Sequence, residues 1–168
     1  RVKIGTVTNT NGIGVGITLY YKKNIPSGIT TITYTPPTGF GYTAVFVHEV
    51  TGASTTAPFT GGEALFSTDS LGGTTQATSS LTNSVAKSIF FAMLMDSTGA
   101  NPGAAALNAS GTTTASWALK DSSASQELNG SANWLASVPF LIVSTSAAQV
   151  HAWTVDASTN VSKAIVCF

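Results

Sequence analysis

The chain has 168 residues, of which 43% are hydrophobic and only 8% are Asp, Glu, Lys or Arg, with a formal net charge of zero. A typical soluble domain carries about 25% charged residues, so this composition excludes both a basic nucleic-acid footprint and a charged disordered tail. The longest apolar run, residues 89–95, is far short of the ~20 residues that span a bilayer as a helix. The length supports one hydrophobic core and hence a single domain over residues 1–168.

Strand patterns dominate in chain order. Residues 2–8 alternate Val2, Ile4 and Thr6 with Lys3 and Gly5, and residues 13–21 place Val15, Ile17 and Leu19 on one face. Residues 29–35 read Ile-Thr-Thr-Ile-Thr-Tyr-Thr and stop at Pro36-Pro37. Further strands are predicted at 42–50, 85–95, 112–120, 134–145, 148–155 and 161–168, of which 85–95 is nearly all apolar. Turn signals separate them: Asn11-Gly12, Pro26-Ser27-Gly28, Gly61-Gly62, Asn101-Pro102-Gly103 and Asn129-Gly130. About nine strands spaced in this way predict an all-β antiparallel sandwich, Ig-like or jelly-roll, with little or no helix. Residues 104–108 and 122–128 suit at most a helical turn each, and 67–83 reads as a long loop or weak edge strands.

The few charges are unevenly placed. Residues 1–48 hold Arg1, Lys3, Lys22 and Lys23 and no acid, a net of +4, whereas residues 49–168 carry a net of −4. This asymmetry is either chance in a small sample of charges or a basic N-terminal region that meets an acidic surface on a neighbouring copy. The single cysteine, Cys167, sits in the apolar stretch Ala164-Ile165-Val166-Cys167-Phe168. It reads as a small apolar strand residue, since free cysteine is among the most buried residue types.

No catalytic motif emerges. His48-Glu49 begins like a zincin, but Gly52 stands where the second histidine belongs. Gly12-Ile13-Gly14-Val15-Gly16 lacks the spacing of a dinucleotide loop and reads as a strand with one bare face. A glycosidase pair needs two neighbouring acids, one in an apolar setting. Among the seven acids, Glu49 is the one whose sequence context suits that role. No catalytic, cofactor or metal residues are therefore assigned. Tyr20, Tyr42, Trp117 and Trp134 are candidate stacking faces for a sugar ring, or else aromatics that fill the core and seal the ends of the sandwich. Asn108, Asn129 and Asn160 head Asn-x-Ser/Thr sequons and are possible glycosylation sites.

Two stretches carry a resemblance. Leu19-Tyr20-Tyr21-Lys22-Lys23-Asn24-Ile25-Pro26-Ser27-Gly28-Ile29-Thr30-Thr31-Ile32-Thr33 is an aromatic strand running through an Asn/Gly turn into a Thr-rich strand. Val47-His48-Glu49-Val50-Thr51-Gly52 and the closing apolar strand ending in Phe168 follow in the same order. The chain thus resembles β-sandwich modules of phage virion proteins and secreted bacterial surface proteins. The resemblance implies a non-enzymatic sandwich. Such modules carry a further strand before the position of Arg1, so the resemblance also implies an open sheet edge that a neighbour completes by strand addition.

Soluble monomers ordinarily keep net and mixed surface charge against association. A chain without either is expected to be an extracellular, cell-surface or virion structural protein whose partners are copies of itself, in a filament, sheath or virion. The candidate interface is the N-terminal strand at residues 1–10, with Arg1, Val2, Lys3, Ile4 and Val7. The alternative is a glycan- or receptor-binding sandwich module. Neither reading involves nucleic acid, a membrane span or a cofactor.

Overall fold

Two strands run almost without polar interruption, and both are buried on both faces. A strand alternates its side chains between the two sides of a sheet, so an apolar run signals cover on each side. In the computed structural model, which describes residues 1–10, 14–36, 38, 43, 45–59, 63–69, 75–97, 117, 134–154 and 160–168, these strands are β6 (Ser88–Ser97) and β11 (Asn160–Cys167). They pair antiparallel along their whole length, from Asn160 opposite Ser97 to Cys167 opposite Phe90.

Around them a central antiparallel sheet is built in the order β3 (Ala64–Asp69), β11, β6, β7 (Trp134–Ser137), with β8 (Phe140–Val143) also beside β6. β7 and β8 hold one register against β6: Leu94 faces Ser137 and Phe91 faces Phe140. The predicted single strand at 134–145 is therefore one line of chain interrupted at Val138-Pro139. Proline has no N–H to give the ladder, while its carbonyl still accepts the Ala92 N–H at 3.0 Å.

One face of this sheet is covered by the hairpin of β1 (Val2–Asn9) and β2 (Val15–Tyr21). Ile4, Ile17 and Leu19 pack there against Phe91, Met93, Ala164 and Val166, joined by Phe59, Phe66 and Phe168. The opposite face is covered by two short pairs: β4 (Thr75–Ala77) with β10 (Ala152–Thr154), and β5 (Leu81–Thr82) with β9 (Ala148–Gln149). Leu81, Trp117 and Trp153 close over Phe90, Ala92, Leu94, Val161, Ile165 and Cys167. The predicted strand at 148–155 is split into β9 and β10 by a one-residue slip, and residues 67–83 contribute the short β4 and β5. The result is a sandwich-like, all-β stack of antiparallel sheets, with no helix among the described residues.

The structure corrects the sequence reading at further places. β3 was not anticipated, because Ala64-Leu65-Phe66-Ser67-Thr68 is too short a run to show a period. In β1 the register slips between Lys3 and Gly5. This bulge reverses the alternation, so Val2 and Thr6 are exposed while Ile4, Gly5 and Val7 turn inward. Glycine is required at position 5, where a Cβ would lie 2.4 Å from the Phe66 ring. Finally, residues 29–35 and the described part of 42–50 form no strand. Their β-branched side chains suit a pleated surface, but a ladder also needs a partner edge, and this chain pairs none with them. The possible turns at 104–108 and 122–128, and the strand at 112–120 apart from Trp117, lie outside the described residues.

Cys167 is a free thiol buried at the end of β11. Burial pushes it up to about 11, with the Glu63 charge adding to this and a Ser88 hydrogen bond opposing it. The thiolate is the reactive form. The native protein at neutral pH is therefore expected to resist maleimide labelling and to label fully once unfolded. Rapid labelling of native protein would show that the end of the central sheet opens.

Candidate assembly surface

The hairpin presents two distinct faces. Val15, Ile17 and Leu19 of β2 face the central sheet, while Gly16, Thr18 and Tyr20 face outward. On β1, Thr6 and Thr8 share that outer face, and the hydroxyls of Thr6 and Thr18 lie 3.1 Å apart across the ladder. The hairpin is pinned to the sheet below by two polar contacts. Ser162 Oγ donates to the Val15 carbonyl at 2.8 Å, and Asn9 Nδ2 donates to the Val161 carbonyl at 3.4 Å.

Of the candidate interface residues, Arg1, Val2 and Lys3 are exposed, whereas Ile4 and Val7 are half-buried, and Ile4 packs into the chain's own core. β1 is paired to β2 along one edge. The Arg1 guanidinium lies 4.8 Å from the centre of the Tyr20 ring, a cation–π contact that occupies one face of this aromatic.

β2 leads into a stretch of chain unlike the rest. Asn24 and Gly28 take positive φ values of 55° and 85° and shape the turn after the strand; glycine adopts that conformation at no steric cost. From there to Val50, the described residues form no strand and leave Ile25, Ile29, Ile32, Tyr34, Val45, Phe46, Val47 and Val50 exposed. Ile29 and Ile32 are 56% and 62% exposed. Large apolar side chains exposed along one segment are the material from which an interaction surface is built. Two local devices hold the far end. Lys23 Nζ donates to the Thr56 carbonyl at 2.6 Å, and Ser54 Oγ accepts the N–H groups of Thr56 and Ala57.

The other candidates fare differently. Trp117 is a correction: at 7% exposure it packs edge-on against Phe90 and beside His151, so its faces are closed to a sugar. Tyr42, Asn108 and Asn129 lie outside the described residues. Trp134 opens β7 and Asn160 opens β11. Glu49 is exposed, so it lacks the apolar setting that its sequence suggested. Among the described residues the buried acid is instead Glu63, whose carboxylate accepts the N–H and hydroxyl of Ser84. Nothing in its sequence neighbourhood, Gly61-Gly62-Glu63-Ala64, signals this. Beside it, buried Asn83 donates to the Val85 carbonyl and to Ser88 Oγ and accepts the Ala147 N–H at 2.9 Å. These bonds tie the β5–β6 turn to the chain entering β9.

His151 is held between Trp117 and Trp153, with ring centres at 4.8 and 4.4 Å. Its backbone N–H bonds Thr78 Oγ1 and its carbonyl accepts the Thr78 N–H. Lys163, also buried, donates to Gln76 Oε1 at 3.2 Å from the same side of β11. No group of three or more His, Cys, Asp or Glu side chains among the described residues is placed to hold a metal ion. No helix among them is long and apolar enough to cross a membrane. Compared with known proteins, the chain matches no family model, no curated sequence and no solved structure.

Proposed function

We propose that this protein is a non-enzymatic structural subunit that assembles with copies of itself outside the cell, as part of a filament, sheath or virion. The observation that carries this reading is the set of exposed apolar side chains between β2 and Val50, in a chain with few charged residues and no net charge to keep it apart from its copies. Burying an isoleucine or valine side chain is worth about 1.5–3 kcal/mol. Covering even a few of these residues against a neighbour offsets much of the loss of freedom on association.

The composition supports the same reading. Thr and Ser make up 46 of 168 residues; their short side chains allow close contact between copies without the desolvation of lysine or glutamate that charged interfaces require. The glycan-binding alternative has weaker support, because Trp117 is buried and Arg1 covers a face of Tyr20.

Electron microscopy of negatively stained protein, with light scattering over a range of concentrations, tests the proposal. Ordered filaments, sheets or shells are the expected outcome. A strict 17 kDa monomer at every concentration would overturn it.

A further inference from the structure

We propose that Lys163 and Gln76 become joined by an isopeptide bond, a covalent staple between the cover strand β4 and the central strand β11. The two side chains meet across 87 residues of sequence. Lys163 Nζ lies 3.2 Å from Gln76 Oε1. The amide carbon is therefore within about 4.4 Å of the amine, the oxygen distance plus one C=O bond. A small shift of the flexible lysine chain brings the pair to the ~3–3.5 Å from which bonds form.

Both groups are inside the protein, Gln76 at 0% exposure and Lys163 at 7%. Two reactants held in contact behave as if at a very high effective concentration, which speeds a condensation that is slow between free side chains. Burial also keeps water, the competing nucleophile, away from the amide. The product is favoured electrostatically as well. An ammonium taken out of water is costly unless it is fully paired, whereas the isopeptide is neutral.

The step balances with no other reagent. Lys163 Nζ attacks Gln76 Cδ, the Nζ–Cδ bond forms, and the Cδ–Nε2 bond breaks. Two protons pass from the lysine ammonium to the departing nitrogen, which leaves as an ammonium ion. Nothing is oxidised or reduced. A carboxyl group is an ordinary carrier for such protons. Backbone register brings two acidic residues to this part of the sheet: Asp69 of β3 and Asp96 of β6 both pair with Val161, two residues from Lys163 on β11.

The staple falls where the fold is weakest. The strand pairs covering this face, β4 with β10 and β5 with β9, are two or three residues long, shorter than strands that hold by themselves. The chain has one cysteine and so no internal disulfide. A bond from Gln76 to Lys163 fixes β4, and through its ladder β10, to the central sheet. It restricts the unfolded chain as a disulfide does, in a monomer and in an assembled subunit alike.

The intact mass of the full chain, purified folded and then denatured, tests the bond. The expected mass is that of the sequence less one ammonia. Trypsin does not cut after an acylated lysine, so digestion is expected to release residues 24–87 joined to residues 121–168, with fragmentation placing the link at Gln76 and Lys163. Lys163→Arg keeps the charge and is expected to restore the full mass. The Asp69→Asn/Asp96→Asn variant is expected to stay unlinked while Cys167 remains protected from maleimide, which reports that it is folded.

A wild-type chain of full sequence mass overturns the proposal. So does an ammonia loss that maps elsewhere, such as a succinimide at Asn11-Gly12 or Asn129-Gly130. A link that persists in the folded aspartate variant removes the two acids from the reaction and leaves the bond itself established.

Discussion

Phe90→Ala is expected to lower the unfolding free energy by about 3–5 kcal/mol, the usual cost of removing a fully buried aromatic side chain. Phe90 is 0% exposed near the start of β6. It stands opposite Cys167 on β11 and Leu141 on β8, and its ring meets Trp117 edge-on at 6.5 Å. Covered from above by Trp117 and Trp153 and flanked by two strands, the site has little room to collapse. The control lies across the same ladder. Ile142, beside Leu141, is 70% exposed, and Ile142→Ala is expected to change stability by about 0.5 kcal/mol or less. Urea unfolding of the two variants decides the matter. Equal losses would contradict the two-layer cover of β6.

Acid is expected to destabilise the fold through His151 over a defined range. The side chain is 2% exposed. Among the described residues its Nδ1 has no hydrogen-bond partner, so a charged imidazolium would have little to compensate its lost hydration. Burial lowers its pKa from 6.5 to about 4. The unfolded chain takes up a proton near the ordinary value and the folded chain only near the lowered one. Between them the unfolded state binds more protons, so stability falls as the pH falls through this window and is intact above it. The full difference is about 3 kcal/mol at most. His151→Phe removes the titration while keeping an aromatic ring between the two tryptophans. Its stability is expected to fall less steeply than wild type from pH 6.5 to 4; parallel curves would show that His151 is not the group responsible.

How far a feature could be read depended on whether its cause was local. β6 and β11 were legible because a strand covered on both faces must be apolar at nearly every position, and Ile89 to Met95 and Ala164 to Phe168 satisfy that without reference to any neighbour. The hairpin of β1 and β2 was legible from its alternation. The bulge at Ile4 was not; next to it Gly5 lies against the Phe66 ring, which comes from a strand about sixty residues away. The burial of Glu63 and Asn83 was equally hidden, because hydrogen bonds to Ser84 and Ala147 compensate it and those partners come from turns that only the fold brings together.

The candidate site divides in the same way. Composition, charge asymmetry and the β-branched character of residues 29–35 were all present in the one-dimensional chain. Trp117 and Tyr20 look alike in sequence, as aromatics in strand-like surroundings, yet one lies inside the core and the other on its surface. By itself the amino-acid order determined an all-β, charge-poor chain with its core in two apolar strands, because alternation and composition are properties of single segments. Only the tertiary structure decided which side chains face solvent and which segments pair, because backbone pairing is a relation between segments: residues 29–35 have the side chains of a strand, yet form none.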